Sequence, residues 1–117
     1  MTEEMTMARE ALDTDFDLNV ENVGSFTFGR RTMRDEIKIQ VEYARMIEGV
    51  TPTDWLALVA GWISTLKVMI VRAPDNFIID ELDPLDNKTY TRLQRVDEAL
   101  SAKERSFRGD TAKTTEA

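Results

Sequence analysis

Residues 51–74 read TPTDWLALVAGWISTLKVMIVRAP, and how this stretch folds decides the architecture. Thr51 offers a capping hydroxyl, Pro52 suits a first helical position, and Asp54 meets the positive end of a helix. At the other end Pro74 disfavours helical backbone at Ala73. From Trp55 to Val71 the chain is mostly apolar, which predicts a central buried helix. Gly61, Ser64, Thr65 and Lys67 interrupt the run, and it falls short of the roughly 20 apolar residues that a membrane span requires. Two unlike faces result. Trp55, Val59, Trp62, Leu66, Met69 and Ile70 form a bulky stripe, while Ala57, Ala60, Gly61 and Ser64 form a small-residue face that a second helix can approach. Either face serves internal packing or the docking of a partner helix.

Working outward, Thr32-Met33-Arg34-Asp35 places a hydroxyl and a carboxylate three residues apart, a start signal for a helix running to about Glu48 and ending at Gly49. Met33, Ile37, Val41, Ala44 and Ile47 fall on one stripe and predict its buried face, opposite Arg34, Lys38, Glu42 and Arg45. Asp83-Pro84-Leu85-Asp86 opens a third helix to about Arg105. Its large apolar positions are only Leu85, Leu93, Val96 and Leu100, so it is expected to be the least firmly held. Before the helices, Phe16, Leu18 and Val20 alternate with Asp17 and Asn19, and after Glu21-Asn22-Val23-Gly24 the alternation resumes at Phe26 and Phe28. This predicts a small hairpin whose Phe-rich face packs on the helices. The expected fold is therefore mainly α with a small N-terminal β-hairpin, a compact three-helix domain with flexible termini. Residues 1–14 are read as an acidic flexible segment, 15–107 as one domain and 108–117 as a polar flexible tail.

The 117 residues support one modest core. With 22 acidic against 15 basic residues the net charge is -7, which argues against nucleic acid as the main ligand. Seven of those acids, from Glu3 to Glu21, lie in the first 21 residues against the single Arg9, so the body of the chain is nearly neutral. The acidic start lacks the basic-then-apolar run of a signal peptide. Without Cys or His the chain has no thiolate nucleophile, disulfide, zinc-finger site or histidine base.

The remaining chemical motifs are weak. Asp13-Thr14-Asp15-Phe16-Asp17 begins like a calcium loop, but Leu18 stands where glycine is required and Gly24 where a chelating Glu belongs. Asp80, Glu81, Asp83 and Asp86 could gather a hard cation, though capping accounts for two of them. Ser64-Thr65-Leu66-Lys67 matches a Ser-x-x-Lys pattern without its companion motifs. No catalytic residue, metal site or cofactor is assigned, and an enzyme is not expected. The basic cluster Arg30, Arg31, Arg34 and Lys38 reads as a solvated face that balances the acidic N-terminal segment, or as a surface for an acidic protein.

Phe26-Thr27-Phe28 leading to Thr32-Met33-Arg34-Asp35-Glu36-Ile37, a tryptophan-bearing helix closing in Leu66-Lys67-Val68-Met69-Ile70-Val71, then Ala73-Pro74-Asp75-Asn76-Phe77 and Leu82-Asp83-Pro84-Leu85-Asp86 resembles the tail assembly chaperones of long-tailed, siphovirus-like bacteriophages. The likeness spans roughly residues 24–107. It implies a non-enzymatic assembly factor in the host cytoplasm, absent from the mature virion, that binds the tape measure protein and helps recruit tail tube subunits. It also implies, for many such genes, a longer product made by ribosomal slippage. On this reading Trp55, Trp62, Phe77 and Ile78 are the expected apolar contacts for the partner, and Arg30, Arg31 and Arg34 steer its acidic segments. Neither nucleic acid nor a membrane is expected as a partner, and homo-oligomerisation is left open. The alternatives are a structural virion component, such as a head–tail connector or tail completion protein, and a small helical regulator.

Overall fold

A computed structural model of the chain describes residues 5–7, 12–86 and 88–108. The expected mobile tail from 109 onward lies outside these residues, as does most of the acidic segment. Part of that segment is ordered, because Met5–Met7 forms a strand, β1. The hairpin follows as β2 (Phe16–Val20) and β3 (Gly24–Phe28), with Phe16 opposite Phe28 and Leu18 opposite Phe26. Its turn needs left-handed backbone at Asn22 (φ 67°) and, beyond the reach of ordinary side chains, at Gly24 (φ 142°). A Cβ on Gly24 would also stand 2.6 Å from Pro74 Cγ.

Helix α1 (Met33–Met46) begins with a reciprocal capping box. The Asp35 N–H donates to Thr32 Oγ1 at 3.2 Å, and the Thr32 N–H donates to Asp35 Oδ2 at 2.9 Å. Helix α2 (Asp54–Met69) is capped by Thr53 and not Thr51, with the Leu56 N–H donating to Thr53 Oγ1 at 3.1 Å.

The end of α2 overturns the expected fold class. The helix stops at Met69, and Ile70–Pro74 continues without a loop as a strand, β4, that pairs antiparallel with β3. The sheet order is β1-β4-β3-β2, so the hairpin is two strands of an antiparallel α+β sheet rather than an appendage on a three-helix domain. Local and tertiary causes agree here. Ile70 and Val71 are β-branched, Pro74 excludes helix at Ala73, and β3 would otherwise leave an unpaired edge. The pairing steps from Thr27–Arg72 to Phe28–Ile70, and the extra residue, Val71, is buried.

Helix α3 (Thr89–Phe107) starts six residues later than the Asp83 signal indicated. Asp83 and Asp86 instead close turns, accepting from the Leu85 and Lys88 N–H groups at 2.9 and 3.0 Å. Thr89 Oγ1, buried at the true helix start, donates to the Asp83 carbonyl at 2.6 Å. Leu85, expected as an anchor, is 89% exposed. Leu93, Val96 and Leu100 are fully buried against Phe26, Phe28, Leu66 and Met69, and Phe107 meets Phe16 edge-on at 4.9 Å. These contacts make the helix a wall of the core.

Candidate functional site

The seven residues singled out from the sequence do not form one site. Phe77 belongs to the core, with its ring edge-on to Phe26 at 5.0 Å. Trp62 is partly buried against the same cluster. Trp55 is half-exposed at the start of α2, against Tyr90 at 5.6 Å, and Ile78 is exposed on the loop after β4. Between that loop, β4 and the last turn of α2 lies a groove of about 400 Å³ lined by Leu66, Phe77 and Ile78, with the Lys67–Asp80 ion pair at 3.3 Å on its rim.

The arginines divide by task. Arg31 grips α3 with a two-pronged contact, donating from Nε and Nη2 to the two Glu104 oxygens at 3.0 Å each, and its Nη1 donates to Glu36 at 3.2 Å. Burial works against this charge, but the hydrogen bonds and charges of Glu104 and then Glu36 outweigh it and hold the guanidinium above its ordinary pKa. Arg30 lies over the Phe107 ring at 4.0 Å. Both fasten the start of α1 to the end of α3. Beside them the Asp97 carboxyl is half-buried and raised above the usual aspartate range. Burial is the main cause and Arg31 opposes it, while Glu104 and Glu98 add to the rise.

Arg30 and Arg34 are both exposed, but Arg34 has no ion-pair partner among the described residues, and it leads to a surface that sequence reasoning placed inside. Met33, Ile37 and Val41 are 77%, 63% and 55% exposed, whereas Ile39 on the same helix is 6% exposed. The buried side of α1 centres on Ile39, with Tyr43, Asp35 and Glu42 half-buried around it. At about 100° per residue, the apolar stripe lies on the opposite side. It runs some 12 Å along the helix, from the 1.5 Å rise over eight residues. On its flank a cleft of about 470 Å³ separates α1 from the end of α2. Ile37 and Val41 line it from one side and Val68 and Ile70 from the other, with Lys38, Arg45 and Lys67 and the carboxylates of Asp35 and Glu42 around them.

The acids of α1 are spent within the fold. Asp35 caps the helix, Glu36 holds Arg31, and Glu42 takes Arg45 at 3.0 Å and Lys67 at 3.7 Å. Neither Arg34 nor Lys38 has an ion-pair partner among the described residues. A second group of exposed apolar residues, Met46, Val50, Trp55 and Leu58, surrounds the turn between α1 and α2.

Among the described residues no acidic cluster is arranged to hold a metal ion, and no helix is long and apolar enough to cross a membrane. Ser64 is buried and donates to the Gly61 carbonyl at 3.2 Å, an ordinary intrahelical contact. The chain matches no family model, and comparison with the curated proteins and with the solved structures finds no similar protein.

Proposed function

We propose that this protein is a non-enzymatic tail assembly chaperone of a long-tailed bacteriophage. In this reading it binds the tape measure protein in the host cytoplasm, helps bring tail tube subunits to it, and leaves before the virion is complete. The observation that carries the reading is the apolar stripe of α1, open to water along about two helical turns. A small domain with a well-filled core that still leaves such a stripe outside is fitted to cover apolar surface on something else.

A tape measure protein without its tube is an elongated helix with the same difficulty, and the resemblance of residues 24–107 to the chaperone family supplies that identity. The net charge of -7 favours dispersal of a complex that would otherwise precipitate. The partner needs no opening of the fold, since the stripe is already exposed.

The test is co-expression with the tape measure protein encoded by the same phage. Soluble tape measure protein recovered only when the chain is present, together with virions lacking the chain by mass spectrometry, is the expected outcome. A fixed copy number of the chain in purified virions would make it a structural component instead.

A further inference from the structure

We infer that the α1–α2 cleft is the docking site, and that its occupant is an amphipathic helix carrying acidic residues along one flank. The inference rests on the chaperone reading for the identity of that helix, but its chemistry comes from the cleft.

Ile37 and Val41 on one wall and Val68 and Ile70 on the other give a floor suited to an apolar stripe. Arg34 and Lys38 stand on one border of that floor, about 100° and 140° around the helix from Met33. Both are without an ion-pair partner among the described residues, while Asp35, Glu36 and Glu42 are each occupied within the fold. Asp35 and Glu42 also line the cleft, but Lys38, Arg45 and Lys67 outnumber them and Arg34 stands one turn away, so in a chain with a net charge of -7 this surface keeps a slight basic excess. A helix with acids on its facing flank satisfies both the floor and the border. A second copy of this chain does not, because its own Arg34 and Lys38 would be brought against the same basic border.

Two synthetic helical peptides test the assignment. They share one Leu/Ile stripe and differ only in carrying Glu or Lys along one flank. In amide-resolved NMR titrations of the full chain, the Glu peptide is expected to shift residues 33–45 together with Val68 and Ile70. It should bind at least about tenfold more tightly than the Lys peptide in dilute salt, with the gap narrowing as ionic strength rises. The Arg34→Glu/Lys38→Glu variant, altered only at exposed positions, should invert the preference. Equal binding of the two peptides, no binding of either, or shifts confined to other elements would overturn the inference. So would a wild-type chain that dimerises through α1 in sedimentation experiments.

The chaperone reading fails separately. If the Glu peptide occupies α1 but no segment of the tape measure protein does, the docking site stands and the identity of its guest falls. If the tape measure protein co-purifies and Ile37→Asp leaves its recovery unchanged, the chaperone stands and this docking site falls.

Discussion

Ile37 and Ile39 are the same residue type two positions apart, and the orientation of α1 makes them opposites. Ile39 is 6% exposed, so Ile39→Ala removes a filled core side chain and leaves a cavity, at a cost of about 2–5 kcal/mol. Ile37 keeps 63% of its surface in water. Only about a third of the ~1.5–3 kcal/mol from full burial of such a side chain is at stake, roughly 0.5–1 kcal/mol. Alanine returns about 0.4 kcal/mol of helix propensity. The net cost of Ile37→Ala is then about 0–0.7 kcal/mol. For a domain of this size each kcal/mol moves Tm by about 4–8 °C. Ile39→Ala should lower Tm by about 8 °C or more, and Ile37→Ala by less than about 6 °C. Urea unfolding followed by circular dichroism, with calorimetry for Tm, measures both. Equal losses, or a larger loss at Ile37, would mean that α1 is rotated by about half a turn, with the Met33–Ile37–Val41 stripe against the core. The docking surface would then not exist.

Other consequences are equally open to measurement. Gly61 lies inside α2, and apart from its chain neighbours and the helix's own backbone no atom comes within 4 Å of where a Cβ would sit. Gly61→Ala should therefore stabilise the protein by about 0.5–1 kcal/mol in the same urea assay, and a destabilised variant would show a close neighbour at that face. Arg31→Ala and Glu104→Ala should each destabilise, and their double-mutant cycle should give a coupling on the order of 1–3 kcal/mol, because the paired side chains are only 26% and 21% exposed. Additive losses would refute the contact. Asp97 has a folded pKa raised chiefly by burial, so the folded state favours its protonated form, and the stability this confers is lost as pH rises through that pKa. Asp97→Asn should thus be more stable than wild type at neutral pH, with the advantage vanishing below the ordinary aspartate range. A gap unchanged by pH would rule out titration as its cause.

Much of the fold is local enough to be read from the residues. The Thr32–Asp35 capping box, the Asn22–Gly24 turn and the alternation at Phe16, Leu18, Val20, Phe26 and Phe28 each depend on neighbours within a few positions. The missed features depend on distant ones. Ile70 continues an apolar helix as readily as it begins a strand, and the choice falls to the free edge of β3, more than forty residues earlier in the chain. Asp83-Pro84-Leu85-Asp86 carries a sound helix-start pattern, but its carboxylates are used in two successive turns and the start is displaced to Thr89. For α1, periodicity separates two faces without saying which is inside. Here the inward face is the one with a single large aliphatic, Ile39, helped by Tyr43 and by acids whose charges are met at the margin by Arg45 and Lys67. Of the proposed site, only the basic residues Arg34 and Lys38 are marked by the sequence as a surface for an acidic partner. Phe77 is consumed by the core, and Arg30 and Arg31 by the junction with α3.

The size of the stripe limits how it can act. Three exposed side chains along about 12 Å offer an apolar patch on the order of 300 Å². At about 25 cal/mol/Å², covering it gains roughly 7 kcal/mol before any cost is counted. Association itself costs about 4–15 kcal/mol, so one copy on one helical segment is held weakly even where the charge of the border favours it. A guest presenting one such segment would escape. An elongated helix that repeats the segment offers many equivalent places, and weak contacts at each keep its apolar surface covered on average while any single copy can leave. Under the proposed chaperone reading, that combination of high coverage with fast release suits a protein that the assembling tube displaces. Tight binding by one copy would obstruct the same step.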